Sequence, residues 1–116
     1  MAAVMMEHEL AQRVEQELRS LYISGTLKGL YYLVYAVVAE VQKPGSTHRI
    51  TKELYPEIAL AFKTTPARVE RDMRWAIRMA WESAKDKINQ MALRHLVKRP
   101  TNREFIDIIA FHIRSV

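Results

Sequence analysis

The sequence predicts an all-α fold of about six helices in one compact domain, residues 1–116, and three observations carry that expectation. Only three glycines and four prolines punctuate the 116 residues, and Gly25, Gly29 and Gly45 all precede residue 46. Hairpin dipeptides of the Asn-Gly kind are missing, which argues against a β-sandwich or barrel. Apolar residues recur at spacings of three and four along most of the chain. With 49% hydrophobic and 27% charged residues, the composition excludes intrinsic disorder and can furnish one core at this length.

A first helix is expected from Ala3 to Tyr22, where Met6, Leu10, Val14, Leu18 and Leu21 form one stripe and Ser24-Gly25 follows as the terminator. The second, Leu27 to Gln42, is apolar almost all round (Leu30, Tyr31, Leu33, Val34, Tyr35, Val37, Val38, Val41). Such a helix is central and covered on several sides, or else presents a dimer face. Residues 43–49 read as a loop whose Gly45-Ser46 pair lacks the lysine and spacing of a phosphate-binding P-loop. Ile50 to Tyr55 reads as a short helical turn. Pro56 suits the first position of a new helix reaching Phe62, with Ile58, Ala59 and Phe62 inward.

After Lys63-Thr64-Thr65, Thr65 is a natural N-cap and Pro66 a natural first residue. The helix they open should reach about Ala84, with Val69, Met73, Ala76, Ile77 and Ala80 inward. A further helix is expected from Asp86 to Leu96. Lys98-Arg99-Pro100 breaks it, and Thr101-x-x-Glu104 is a capping box for a last helix carrying Phe105, Ile108, Ile109, His112 and Ile113 inward.

Charge divides the chain unevenly. Residues 1–42 hold three Lys/Arg against five Asp/Glu, whereas residues 43–116 hold fifteen against eight. A polyanionic partner facing the later two-thirds accounts for this, as does a merely soluble basic surface. No cysteine is present, and His8, His48, His95 and His112 show no metal-ligand spacing, so neither a metal nor a cofactor is expected. Paired carboxylates in a cleft, a nucleophile elbow and a glycine-rich phosphate loop are missing too, so no catalysis is expected. The longest apolar run, Leu30 to Ala39, is about half the roughly 20 residues of a bilayer span. The acids in the first 21 residues fit no targeting peptide, and the expected compartment is the cytoplasm.

A short helix, a turn of three residues and a longer helix bearing arginines has the shape of a helix-turn-helix, at about residues 56–84. In that motif the second helix enters the major groove of double-stranded DNA. An arginine fork donates two hydrogen bonds to guanine O6 and N7, and a glutamate accepts from cytosine N4. Arg68, Glu70, Arg71 and Arg74 are therefore the candidate base readers. Arg49, Lys52, Lys63, Thr64, Thr65, Trp75 and Arg78 are the candidate backbone contacts. Arginines at this spacing also fit a solvated helix face, with Glu70 and Arg74 as an ordinary i,i+4 pair.

The stretch from Ile50 to Trp81, ITKELYPEIALAFKTTPARVERDMRWAIRMAW, resembles the DNA-binding effector domain of the stage-zero sporulation response regulator family. The family's pieces are ITK-LYP-IA--F, T-ARVER or T-SRVER, and AI--AW. LKGLYYL is similar to its IKGYLYL, and PTNREFIDIIAFHIR to its PTNSEFIAMVADKLR, so the likeness runs from about Leu10 to Arg114. The resemblance implies a six-helix, winged-helix-like domain without a clear wing. It implies binding to a TGTCGAA-like box, often as tandem head-to-tail copies and hence as a homodimer on DNA. It assigns base reading to Arg68, Glu70, Arg71 and Arg74. Ala67 stands where the family has serine, Asp72 where it has alanine and Trp75 where it has histidine.

Regulators of that family carry a phosphoacceptor receiver domain, and these 116 residues hold no receiver sequence, so a free-standing or an excised effector domain is expected. The family meets an RNA polymerase sigma factor through a surface that includes LFGYTV. Here the corresponding stretch reads MALRHLVKR, Met91 to Arg99, and repression or competition for boxes stands beside activation. The resulting expectation is a sequence-specific DNA-binding transcriptional regulator. The alternative is a helical protein-interaction module that keeps the fold and binds another regulator through the Tyr-rich second helix or the basic tail.

Overall fold

A computed structural model describes residues 2–115, with side chains described for 7–115. Among the described residues the elements are α1 (Ala2–Arg19), α2 (Lys28–Gln42), a π-helical turn (Ile50–Leu54), α3 (Tyr55–Phe62), α4 (Pro66–Ala92) and α5 (Asn102–Ser115), with no strand. Five α-helices are counted against the expected six, because α4 is taken across a kink. The helix expected over Asp86–Leu96 is the part of α4 that follows a kink at Ala84, whose angles (φ −138°, ψ 35°) are not helical, so the break falls where the sequence places the end of the preceding helix. No glycine or proline lies between Pro66 and Pro100, so the kink forms without either. α4 ends at Ala92 rather than Leu96. There Leu93 takes the left-handed conformation, and its N–H reaches back to the Asn89 and Gln90 carbonyls.

α1 ends three residues before the expected Tyr22. Leu21 and Tyr22 donate to the carbonyls of Leu18 and Arg19 in tightened turns, and Tyr22 adopts φ 67°. Leu18, Leu21 and Ile23 are all buried, so the apolar spacing runs on through the reversal and conceals it. Val14 and Leu18 hold the stripe as expected. Met6 lies outside the residues whose side chains are described.

α2 is the central helix. It packs on α1, α4 and α5, burying Leu30, Tyr32, Leu33, Ala36 and Val37. Gly29 is where α2 crosses α4: a β-carbon there would stand 2.2 Å from the Asp72 carbonyl oxygen. Only a glycine permits so close a backbone approach.

The loop after α2 is held from below. The buried Glu40 carboxylate accepts from the Gly45 and Thr47 amides at 2.9 and 3.1 Å, and the Thr47 hydroxyl donates to Asp107 of α5 at 2.8 Å. A buried carboxylate is tolerable only with such partners. The turn at Ile50–Leu54 is helical as expected, but wound as a π-helix that runs straight into α3. Consequently α3 starts at Tyr55, one residue before Pro56, because Tyr55 keeps helical angles ahead of the proline (φ −59°, ψ −45°). Phe62, expected inward, is partly exposed and meets the edges of Tyr32 and Tyr35.

α5 begins on the expected capping box. Glu104 N–H donates to the Thr101 hydroxyl at 3.1 Å, and Thr101 N–H to the Glu104 carboxylate at 2.9 Å. Phe105, Ile106, Ile109 and Ile113 enter the core. His112 sits at the core's edge, 3.6 Å from Glu17 of α1. No helix among the described residues is long and apolar enough to cross a membrane.

Candidate nucleic-acid interface

α3 and α4 are joined by a turn of three residues whose geometry is tightly specified. Lys63 closes α3 in the left-handed region (φ 56°, ψ 49°), where a glycine is the usual occupant. Its N–H and that of Thr64 satisfy the carbonyls of Leu60 and Ala59 at 3.4 and 2.9 Å. Thr65 is extended, and its hydroxyl oxygen accepts from Arg68 N–H at 3.2 Å, so it caps α4 while its own O–H stays free to donate. Pro66 follows at the start of α4, where its missing N–H costs nothing.

Val69, Met73, Ala76, Ile77 and Ala80 fix the rotation of α4 by burying one side completely or nearly so. Arg68, Arg71, Arg74, Trp75 and Arg78 are thereby turned outward and are all exposed. Glu70 lies at the margin, half-buried.

The guanidinium groups are lightly held. Arg71 reaches Asp72 at 3.4 Å, Arg74 reaches Glu70 at 3.4 Å, and Arg78 reaches Glu82 at 3.1 Å while stacking 5.6 Å from the Trp75 ring. Exposed pairs of this kind contribute roughly 0–1 kcal/mol each, so the arginines can exchange these partners for a ligand's. Arg68 and Lys63 make no ion pair among the described residues. The surface formed by Lys63, Arg68, Arg71, Arg74 and Arg78 is thus cationic, hydrogen-bond rich and anchored on a rigid helix.

Not every predicted residue joins this group. Arg49 and Lys52 lie ahead of α3, in the loop and in the π-helical turn; Arg49 is engaged with Glu53 at 3.6 Å. No hydrogen bond or ion pair connects either to an α4 arginine among the described residues. Thr64 is half-buried in the turn, its amide spent on Ala59.

Sequence spacing overlooked the residue that locks this surface in place. Asn102, the first residue of α5, is buried. Its Nδ2 donates both to the Tyr55 hydroxyl at 3.0 Å and to the Glu70 carbonyl at 3.1 Å. One amide therefore ties α5 to α3 and to the second turn of α4. Burial raises the Tyr55 pKa, and the Asn102 hydrogen bond opposes that rise. The capping box flanking Asn102 marks its position in the sequence, but nothing local marks its partners, 47 and 32 residues away.

Residues 14–113 match the family model described as "Sporulation initiation factor Spo0A C terminal". The match spans α2 to α4 entire and nearly all of α5, and so contains the whole cationic surface. The chain belongs to this family, the regulatory DNA-binding domain of a sporulation transcription factor.

Proposed function

We propose that this protein is a sequence-specific regulator whose α3–turn–α4 unit is a helix-turn-helix, with α4 reading a TGTCGAA-like box in the major groove. The observation that carries this reading is the outward face of α4, where three loosely held arginines follow an N-terminus capped by Thr65. Arg68, Arg71 and Arg74 take guanine O6 and N7 by two-pronged donation, and Glu70 accepts from a cytosine amino group or orients Arg74. Lys63, the Thr65 hydroxyl and the Ala67 amide meet backbone phosphates, because a helix N-terminus presents N–H groups without intrahelical partners and partial positive charge. Thr64, Trp75 and Arg78 extend that contact, and Arg49 and Lys52 approach a phosphate from the preceding turn. Head-to-tail copies on tandem boxes are part of the same proposal.

The test is a fluorescence anisotropy titration at about 150 mM salt against a duplex with two tandem TGTCGAA boxes and a scrambled duplex of equal composition. Specific readers favour their site by at least about a thousandfold, and such a preference is expected. Equal, weak binding to both duplexes would overturn it. A second reading, capture of another protein, draws support from an apolar groove of about 340 Å³ bordered by Tyr31, Val34, Tyr35, Val38 and Phe62. It takes over if neither duplex is preferred.

A further inference from the structure

A second cationic feature adjoins the outward face of α4. Between the second turn of α4 and the start of α5 lies a cleft of about 350 Å³, bordered by Glu70, Arg74, Arg99, Thr101, Asn102 and Arg103. Three guanidinium groups border it, and Glu70 is the one carboxylate among the residues that do so. Arg74 belongs both to this cleft and to the α4 face, so the two surfaces are continuous.

The nearby acids do not neutralise the excess. Glu70 already engages Arg74. Asp107 receives the Thr47 hydroxyl at 2.8 Å and reaches Arg103 only at 4.0 Å. Glu104 is committed to the capping box, and its neighbouring charges are those of Arg94 and Lys98. Arg99 has no ion pair among the described residues. Both Arg99 and Arg103 are exposed, yet their backbones are anchored by buried neighbours, Pro100 and Asn102. Like charges gathered on rigid backbone repel one another unless an anion sits between them.

We propose that Arg99 and Arg103 form a second phosphate clamp, gripping the DNA backbone beside the box while α4 reads its bases. This rests on the helix-turn-helix reading above and extends the contact from α4 to the loop before α5 and the first turn of α5. The Asn102 tie to the Glu70 carbonyl holds clamp and reading helix in a constant relation, so a backbone grip at the cleft sets how deeply α4 is seated.

The test uses the full chain and both duplexes, titrated between about 50 and 300 mM salt. Each phosphate contact contributes a log–log slope of about 0.9. The double variant Arg99→Gln/Arg103→Gln is therefore expected to bind with a slope shallower by about 1.8, losing affinity by the same factor on box and scramble. Arg99→Lys/Arg103→Lys, which keeps the charge, should restore the slope. Arg114→Gln, about 16 Å away at the far end of α5, should leave it unchanged. An unaltered slope in the glutamine variant, or an equal loss in Arg114→Gln, overturns the clamp. If the unsubstituted chain prefers the box but the slope does not move, the clamp falls and the helix-turn-helix reading stands. If the slope drops in a chain with no box preference, the clamp stands and specific reading falls.

Discussion

The side-chain amide of Asn102 lies 3.0 Å from the Tyr55 hydroxyl and is buried with it beneath the second turn of α4. Its other hydrogen bond, to the Glu70 carbonyl, makes it the point where α3, α4 and α5 meet. Replacing Asn102 by Ala strips a donor from one buried and one partly buried acceptor. A loss of about 1–3 kcal/mol is expected, read as a lower urea midpoint at unchanged slope. A midpoint within experimental error of the unsubstituted chain would show that water replaces the amide.

Gly29→Ala sets two effects against each other. Alanine improves the helix by up to about 1 kcal/mol, but its β-carbon would meet the Asp72 carbonyl oxygen at 2.2 Å. That neighbour is backbone inside α4 and cannot rotate aside. The clash wins, with a net destabilisation of about 1–3 kcal/mol expected from overpacking. Thermal unfolding decides the sign, and a higher midpoint would mean that α2 and α4 separate freely.

Lys63 closes α3 in the left-handed region and, in the proposed reading, also meets a phosphate, and substitutions separate the two. Its left-handed conformation strains any side chain with a β-carbon, so Lys63→Gly should stabilise the fold by up to about 1 kcal/mol. It should also weaken DNA binding equally on all sequences, since a phosphate contact carries no base information. Arg71→Ala should do the reverse, leaving stability nearly unchanged and eroding box preference by about 1–3 kcal/mol. Anisotropy on box and scramble distinguishes the two; preference retained in Arg71→Ala would remove that residue from the reading set.

Glu104 gives the fold an acid-dependent component. Its carboxyl is held below the ordinary value of 4.5, chiefly because the carboxylate accepts the Thr101 amide. A depressed folded-state value means that this stabilisation is complete above the ordinary value and is lost as pH falls through the lowered one. Melting temperatures should therefore converge between the native chain and Glu104→Gln on acidification, having differed at pH 7. Thr101→Ala, which removes the other half of the box, should cost about 1 kcal/mol at neutral pH. A gap between native chain and Glu104→Gln that persists below the lowered value would locate the effect elsewhere.

Local patterns made much of this molecule legible. The inward stripe of α4, the Thr65 cap followed by Pro66 and the Thr101–Glu104 box each occupy the places that their spacing indicated. Such features depend on residues within about one or two helical turns, and the chain writes them in order. The outward direction of Arg68, Arg71 and Arg74 follows from the same period, because burying Val69 and Met73 leaves one direction for them. Element ends were less legible. Tyr22, Lys63 and Leu93 all reverse the chain with positive φ and no glycine. At Tyr22 and Leu93 apolar spacing continued past the reversal, so the expected helices ran long.

By itself the sequence determined the helical class, the face of α4 that meets solvent and the family likeness from about Leu10 to Arg114. Each of these follows from periodicity or from contiguous motifs. Tertiary structure alone decided that Gly29 is the crossing point of α2 and α4, that Asn102 joins three helices, and that Arg99 and Arg103 gather beside Arg74. The physical reason is separation along the chain: these partners lie from 25 to 47 residues apart. No local propensity encodes such a pairing, and only the packing of α2, α4 and α5 around one core brings the groups together.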